Sequence, residues 1–252
     1  MVGICYSGYK ILEWLKDSHE TKATSEEIEE VAEVEEKEDN DNTEIIEQEE
    51  PEESLYWKYI KTSLLDVNFS ELHNMNSDTI GWIRVGGTNI NYPFVQTSNN
   101  DYYLKHSFDK SYNSAGWVFA DFRNKIDGSD RNMIIYAHGR YDTTMFGSLR
   151  NILTSGWLDN TDNYIVRTSS ENENALWQVF STYRIPTTND YIQTNFHSDK
   201  EFDSFVNMLK DRSAHDFNTK VSGTDRILTL STCYSKTERV VLHAKLIKRE
   251  LK

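Results

Sequence analysis

The stretch RILTLSTCYSKTERVVLHAKLI, residues 226–247, predicts two adjacent β-strands joined by a short polar connection. In the first strand, ILTLST, successive side chains alternate between the two faces. Cys233 stands at the exit of this strand, and Arg239 begins the next one. A barrel exposes at its rim the side chains at the ends of its strands. The stretch therefore predicts a β-protein with a thiol and a guanidinium close together at one edge.

Strand patterns recur along the rest of the folded part. Residues 79–96 predict a hairpin that turns at Gly86-Gly87, and four further strands are predicted at residues 116–123, 132–138, 164–169 and 175–185. Helices are few and mostly short: one or two over residues 54–75, a turn over 100–108 and one over 143–153. About eight strands with short helices are typical of a mainly β fold, a barrel or a sandwich with peripheral helices.

The clearest helix of the chain is predicted over residues 198–214, immediately before the last two strands. Ser198 is a suitable N-cap, and Glu201 occupies the capping-box position. Four apolar residues form one stripe: Phe202, Phe205, Val206 and Leu209. This pattern predicts a peripheral helix with one buried face.

The formal net charge of -14 is concentrated in one segment. Residues 26–53 hold 16 of the 41 acidic residues and a single basic one, Lys37, so the remainder is close to neutral. Residues 20–53 lack aromatic residues, and such a segment buries too little apolar surface to offset its chain entropy. We predict an acidic disordered spacer over 20–53, in preference to a partner-binding tail. The nearly neutral remainder lacks the basic surface that nucleic acids require, so no nucleic-acid partner is expected.

Residues 1–19 contain apolar and aromatic side chains but do not predict a membrane span, because Lys10 and Glu13 interrupt them. They also lack the features of a signal peptide. Two interpretations remain, a short amphipathic helix and the outer end of a membrane anchor. We favour the second, a membrane-proximal segment, because aromatic residues followed by a charged spacer suit the membrane interface. It would place the folded domain outside the cell.

Two cysteines, Cys5 and Cys233, are available for thiol chemistry. A disulfide between them would have to cross the predicted spacer, and a cross-link of that kind would be unusual. A lone thiol in an extracytoplasmic domain is then either a buried, inert side chain or a nucleophile. Only the thiolate attacks, so a nucleophile needs a base or a cation beside it.

His138 is the best candidate for that base, because it also ends an apolar strand, MIIYAH. Two reactive side chains at strand ends can meet at one rim of a barrel. His243 is the competitor, although its place within VVLHAKL suits a packed or edge histidine better. The other histidines lie in the tail or in polar stretches and are predicted at the surface: His19, His73, His106, His197 and His215.

Arg239 would come close to Cys233 if residues 233–239 form a hairpin. Its guanidinium could then orient a substrate carbonyl and stabilise the oxyanion formed on attack; the alternative is a solvated hairpin arginine. Cys-x-x-Cys, His-Glu-x-x-His, Walker and Rossmann patterns are all missing from the sequence. We therefore expect neither a metal nor another cofactor.

These segments together resemble the sortase family, and class B within it. TLSTC followed by an Arg on the next strand is similar to the sortase signature Thr-Leu-x-Thr-Cys…Arg, and IIYAHGRYDTTMFGSL is similar to its His segment. Further class B-like stretches occur in the family's order: NDYYLKHSF, AGWVFADFRN, WQVFSTY and DYIQTNF. The resemblance runs from about residue 54 to the C-terminus and implies a sortase catalytic domain over residues 54–252, built on an eight-stranded β-barrel.

The resemblance also implies a membrane-anchored, extracytoplasmic cysteine transpeptidase of Gram-positive-type bacteria. Such enzymes recognise a sorting motif near the C-terminus of a secreted protein, of the Asn-Pro-Gln-Thr-Asn kind in class B. Cys233 would attack the carbonyl of the motif's Thr, and His138 would transfer protons to the leaving amine and from the incoming one. Arg239 would hold the oxyanion, together with the backbone N–H of Tyr234. The acceptor amine would come from peptidoglycan or its lipid-linked precursor.

Substrate-binding positions are implied by the same resemblance, each with an ordinary structural alternative such as a turn former or a core aromatic. They are Asn100, Leu104, Thr187, Tyr191, Ile192, Ser231 and Tyr234. The sequence departs from the class B pattern at Ala137 and Gly139, on either side of the His, and in the short connection YSKTE after the Cys. The short connection should alter the groove wall beside the thiol, so the sorting motif cannot be transferred unchanged.

Three other functions compete with the transpeptidase. A cysteine hydrolase would use the same thiol but pass the acyl group to water. A non-catalytic surface module would bind peptides without Cys233. A pilus-polymerising sortase would use a protein Lys as acceptor, but the lid usual in that class is not evident before the predicted barrel. The ordered Cys, His and Arg segments favour the transpeptidase.

Overall fold

The computed structural model describes residues 2–46 and 50–252, with the side chains of residues 2–6, including Cys5, outside the described part. Helices and strands cover most of this length. In chain order they are α1 (Val2–Val31), β1 (Val34–Lys37), β2 (Thr43–Ile45), α2 (Tyr56–Tyr59), β3 (Leu64–Val67), α3 (Ser70–Met75), β4 (Thr79–Val85), β5 (Asn91–Val95), β6 (Phe119–Ala120), β7 (Asn132–Tyr136), α4 (Ser155–Leu158), β8 (Ile165–Ser170), β9 (Glu173–Pro186), α5 (Asp199–Asp211), β10 (Ile227–Cys233) and β11 (Glu238–Leu251). Three 3₁₀ helices lie at Tyr102–Leu104, Gly147–Leu153 and Thr161–Asn163.

Eight of these strands close into a barrel. Their order is β10-β7-β6-β5-β4-β8-β9-β11, and β10 pairs with β11 to complete the circle. The β10–β7 and β5–β6 pairs are parallel, whereas the other pairs in the barrel are antiparallel. The predicted mainly β, eight-stranded barrel is confirmed. The pair β10–β11, predicted from residues 226–247, closes it.

Helix α5 packs outside the barrel over the long strands β9 and β11. The Ser198 hydroxyl oxygen accepts a hydrogen bond from the Glu201 backbone N–H at 3.2 Å, as the capping pattern predicts. The predicted apolar stripe is buried against Phe180 of β9 and Val241 of β11. Residues of β9 and β11 that point outward are therefore as well covered as those that point into the barrel.

The acidic segment is folded against the barrel, so the prediction of a disordered spacer is wrong over residues 20–46. Helix α1 continues to Val31, β1 pairs with β3, and β2 extends the main sheet beside β11. Partner strands supply the ladder hydrogen bonds, and the acidic side chains remain near solvent beside cations: Glu36 lies 2.9 Å from Arg167, and Glu44 lies 2.7 Å from Arg249. Residues 47–49 of the segment lie outside the described part.

Helix α1 docks on the domain through a largely polar face. Asp17, Ser18 and Thr21 are buried, followed further along the helix by Ile28. The Asp17 carboxylate accepts hydrogen bonds from the backbone N–H of Ser114, at 3.1 Å, and from its hydroxyl. Among the described residues, no helix combines the length and apolar character that a membrane span requires. The membrane-proximal role of residues 1–19 and the boundary at residue 54 remain predictions.

Smaller differences from the prediction occur where pairing partners lie far away in sequence. Residues 54–75 contain strand β3 between two short helices, because residues 64–67 pair with β1. The strand predicted over 116–123 is reduced to the two residues of β6, and residues 147–153 form a 3₁₀ helix. These local differences leave the order of the barrel strands unchanged.

Candidate active site

Cys233 and His138 lie at the ends of two adjacent parallel strands. Ser231 of β10 is in register with Tyr136 of β7, and each candidate stands two residues further along its strand. Parallel neighbours end at the same edge of a sheet, so the thiol and the imidazole share one rim of the barrel. On the other side of β10, Cys233 is directly opposite Arg239 of β11. Side chains at directly opposed positions project from the same face, so the structure brings together the three predicted catalytic residues.

The His138 ring is oriented by a backbone carbonyl. Its Nε2 lies 2.8 Å from the Leu104 carbonyl oxygen. Because a carbonyl oxygen only accepts, Nε2 carries the hydrogen, and Nδ1 is the nitrogen that holds the lone pair of the neutral ring. The His138 carbonyl in turn accepts from the Phe146 N–H at 3.1 Å, which fixes the following loop. The imidazole is thereby held in one tautomer and one orientation.

Arg239 is half-buried at its position opposite Cys233. Its Nη1 donates to the neighbouring Glu238 carbonyl at 3.2 Å, but no carboxylate within the described part of the chain pairs with it. Burial raises the pKa of the Tyr191 phenol, and the nearby Arg239 charge opposes that rise. A guanidinium with several donors to spare, beside a thiol and a phenol, can hold a carbonyl or an oxyanion.

A groove of about 480 Å³ runs past these three side chains. Six of the seven predicted substrate-binding residues line it together with Cys233, His138 and Arg239: Asn100, Leu104, Thr187, Tyr191, Ile192 and Ser231. The described residues include no group of three or more His, Cys, Asp or Glu side chains that could hold a metal ion. The groove is large enough for several residues of an extended peptide.

Some of these groove residues are already hydrogen-bonded within the protein. The Asn100 side chain accepts from the Phe122 backbone N–H at 3.0 Å and donates to the Asp121 carboxylate at 3.1 Å. The Tyr191 hydroxyl lies 2.9 Å from the Ser231 hydroxyl. These polar groups fix the shape of the groove wall. They also leave fewer free donors that could form hydrogen bonds with a ligand.

A buried carboxylate that sequence reasoning missed connects the two groove walls. Asp121 is fully buried and accepts from Arg123 Nε at 2.7 Å and from the Tyr136 hydroxyl at 2.9 Å. Burial alone would raise the pKa of Asp121, but the hydrogen bonds from Arg123 and Tyr136 outweigh it and lower the pKa. Arg123 Nη2 also donates to the Ile192 carbonyl at 2.9 Å. The Asp-x-Arg spacing within ADFRN is the sequence pattern from which the Asp121–Arg123 pair could have been predicted.

Tyr234 differs from its predicted role. Its backbone N–H, expected to assist the oxyanion, donates to the Glu238 carbonyl at 2.9 Å inside the short hairpin. It is also the one predicted substrate-binding residue that does not line the groove. Its ring instead lies between the guanidinium groups of Arg150 and Arg184, at 5.0 and 4.7 Å. The hairpin therefore engages this N–H, and of the two groups predicted to hold the oxyanion only the Arg239 guanidinium keeps donors to spare.

Gly139 explains one of the two departures from the class B pattern. A Cβ added at this position would lie 2.1 Å from the Cys233 carbonyl oxygen and 3.0 Å from the Thr232 hydroxyl oxygen. Thr232 also donates to the Ala137 carbonyl at 2.7 Å. The backbone after the histidine therefore runs directly against the backbone at the cysteine, an approach that only glycine permits.

Comparison with known proteins agrees with this geometry. A family profile described as the sortase domain matches residues 83–247, more than half of the chain. The chain belongs to the sortase family. Sortase B of Staphylococcus aureus is 36% identical to this sortase over 184 residues, which cover 71% of this chain and 75% of that protein.

Solved sortase B structures share the fold. Sortase B from Bacillus anthracis matches this sortase with a TM-score of 0.73 and 31% identity, covering 93% of this chain and 99% of that one. A substrate complex of Staphylococcus aureus sortase B matches with a TM-score of 0.67 and 36% identity, covering 71% and 84%. This sortase is of the sortase B type and is a cysteine transpeptidase.

Proposed function

We propose that this sortase cleaves a sorting motif of the Asn-Pro-Gln-Thr-Asn kind near the C-terminus of secreted proteins and joins the product to a cell-wall amine. The observation that carries the proposal is the meeting of Cys233, His138 and Arg239 in one peptide-sized groove. A substrate complex of Staphylococcus aureus sortase B and a sortase B complexed with Gly3 support a peptide donor and an amine acceptor.

In the first half-reaction the Cys233 thiolate attacks the carbonyl carbon of the motif's Thr. The tetrahedral oxyanion collapses, the C–N bond breaks, and protonated His138 gives its proton to the leaving amine nitrogen. The products are a thioester on Cys233 and a released peptide with a free amine. In the second half-reaction the acceptor amine attacks the thioester, His138 takes its proton, and the C–S bond breaks to restore the thiolate.

Arg239 supplies the electrostatic stabilisation in both half-reactions. Its position opposite Cys233 on the neighbouring strand allows its N–H groups to reach the oxygen of the attacked carbonyl. The charge on that oxygen develops only as the tetrahedral intermediate forms, so the contact lowers the barrier more than it tightens ground-state binding. Loss of a donor of this kind typically lowers kcat by about 10²–10³-fold.

The acceptor we propose is an amine of peptidoglycan or of its lipid-linked precursor. Such an acceptor would place the enzyme at the outer face of the cell membrane, with the N-terminal segment as the membrane-proximal part of an anchor. Exposed apolar side chains on α1 support that position: Tyr9, Ile11, Leu12 and Leu15. Apolar and aromatic side chains of this kind suit the membrane interface.

Peptide assays with and without an amine acceptor test this function. Wild-type protein should convert an Asn-Pro-Gln-Thr-Asn peptide to the amine adduct, detected by its mass, and Cys233→Ala should form neither adduct nor hydrolysed product. Hydrolysis alone with every acceptor tried would instead assign a cysteine hydrolase. Peptide binding without turnover, unchanged in Cys233→Ala, would assign a binding module.

A further inference from the structure

The strand pair that carries Cys233 and His138 loses its backbone ladder just before the two residues. The β7–β10 pairing ends at Ser231 and Tyr136. Beyond that point, regular hydrogen bonds no longer hold the two strands together. The relative position of the thiol and the imidazole therefore depends on contacts made by side chains.

Arg150 makes such contacts across the gap. Its Nη2 lies 2.9 Å from the Tyr234 carbonyl oxygen, 3.2 Å from the Gly139 carbonyl oxygen and 3.4 Å from the Cys233 carbonyl oxygen. One nitrogen therefore reaches the residue after His138, Cys233 itself and the residue after Cys233. All three acceptors are uncharged backbone oxygens, and a cationic donor makes stronger hydrogen bonds to them than a neutral one would.

The Arg150 guanidinium is itself held in place. It is half-buried between two aromatic rings, with its central carbon 4.7 Å from the Tyr141 ring centre and 5.0 Å from that of Tyr234. Its backbone belongs to the 3₁₀ helix Gly147–Leu153, which begins one residue after Phe146, the residue that donates to the His138 carbonyl. Both ends of the arginine are thus anchored next to the reactive pair.

We infer that Arg150 is a positioning residue that keeps Cys233 and His138 in register beyond the end of the β7–β10 ladder. The inference rests on the proposed function in that it takes these two side chains to react together. Lysine cannot replace the arginine fully, because a single ammonium group lacks the planar fork and the stacking face. A displacement of about 1 Å between reacting groups can lower a rate by about 10²-fold. A residue that fixes the positions of Cys233 and His138 therefore controls turnover without contacting the substrate.

Steady-state kinetics of three variants tests this role. Arg150→Ala should lower kcat for transpeptidation by about 10- to 100-fold with KM within about twofold of wild type, and Arg150→Lys should recover only part of the loss. Arg184→Ala is the matched control: its guanidinium stacks on the same Tyr234 ring at 4.7 Å and pairs with Glu238. It should leave kcat within about twofold of wild type.

Alkylation of Cys233 by iodoacetamide gives a readout that requires neither peptide nor acceptor. Loss of register changes the surroundings of the thiol, so the pH profile of the alkylation rate should change in both Arg150→Ala and Arg150→Lys and stay as in wild type in Arg184→Ala. Profiles of the Arg150 and Arg184 variants that coincide, a kcat of Arg150→Ala within about twofold of wild type, or a loss confined to KM would each overturn the inference. If wild-type protein processes no peptide, the proposed function fails, and the alkylation profiles still decide the role of Arg150.

Discussion

His243 lies in the same strand as Arg239, yet its hydrogen bonds keep it out of the chemistry. Its ring is fully buried, with Nε2 2.8 Å from the Tyr183 hydroxyl and Nδ1 2.9 Å from the Thr229 hydroxyl. The single Thr229 hydrogen goes to the Asn132 side-chain oxygen at 2.7 Å. Nδ1 must therefore donate and Nε2 must accept, which assigns one neutral tautomer.

Acid should destabilise the protein through His243. Burial lowers the pKa of His243 to about 3, whereas its ordinary value is 6.5. Between pH 6.5 and pH 3 the unfolded chain therefore binds up to one more proton at this site than the folded protein does. The stabilising contribution is complete above pH 6.5 and is lost progressively as the pH falls towards 3.

The variant His243→Gln retains one donor and one acceptor but does not titrate. Its melting temperature should therefore fall less steeply than that of wild type between pH 6.5 and pH 4, as followed by circular dichroism. If the melting temperatures of the variant and of wild type fell equally steeply over this pH range, His243 would not couple protons to folding.

At the scale of elements, α1 docks against the loop that follows His138. Arg140 Nη2 donates to the Ser18 hydroxyl at 2.5 Å, and the Arg140 guanidinium lies 5.1 Å from the Trp14 ring centre. Ser18 in turn donates to Asp142 at 2.5 Å. The N-terminal helix and the histidine loop are therefore linked by hydrogen bonds between largely buried polar groups, which cost more to break than exposed ones.

Asp17→Ala should weaken the docking of helix α1 on the domain. It removes the acceptor of the Ser114 N–H and hydroxyl groups, and a hydrogen bond to a charged group typically contributes about 1.5–3 kcal/mol. We expect the free energy of unfolding to fall by about 2 kcal/mol, measured by urea denaturation.

Glu20→Ala is the control on the same helix, because the Glu20 side chain is 48% exposed and, among the described residues, forms an ion pair only with Lys16, at 3.4 Å. Its effect should stay below about 0.5 kcal/mol. Equal losses in the two variants would argue against a docked helix.

At the scale of the whole molecule, the acidic segment and the C-terminal strand form one structure although about 200 residues separate them in sequence. Lys248 of β11 is fully buried, and its ammonium donates to Asp39 at 2.6 Å and to the Thr62 carbonyl at 2.7 Å. Lys37 pairs with Glu250 of the same strand at 3.0 Å. Strand β2 continues the sheet beside β11 past the point where β10 begins.

Asp39→Asn should therefore destabilise the protein more than an ordinary surface change. The variant leaves the buried Lys248 ammonium without its counter-charge, and breaking a pair of this kind costs up to about 3–5 kcal/mol. Asp39 is 42% exposed, which reduces the expected loss to about 1–3 kcal/mol in the free energy of unfolding.

Glu44→Gln removes a more exposed pair between the same two segments, with Arg249 at 2.7 Å. It should cost less than about 1 kcal/mol in the same urea titration. If both variants matched wild type, the acidic segment would not belong to the cooperative unit that unfolds.

The sequence by itself determined the eight strands of the barrel, helix α5 and the candidates Cys233, His138 and Arg239. Alternation along a strand, the stripe of a helix and the residue at a strand end are local patterns, and local patterns can be read without knowing the fold. The same reasoning favoured a packed or edge position for His243, and the structure shows it packed. The barrel followed from the number of strands and from the resemblance to sortases.

Tertiary structure alone decided which strands are neighbours and what holds their ends. The parallel register that brings His138 beside Cys233 joins strands about 100 residues apart, and the Arg150 contacts depend on that register. The continuation of helix α1 to Val31 and its docking escaped prediction because the buried face is polar at Asp17 and Thr21. The sites of such hydrogen bonds depend on partners distant in sequence, and neither composition nor periodicity records those partners.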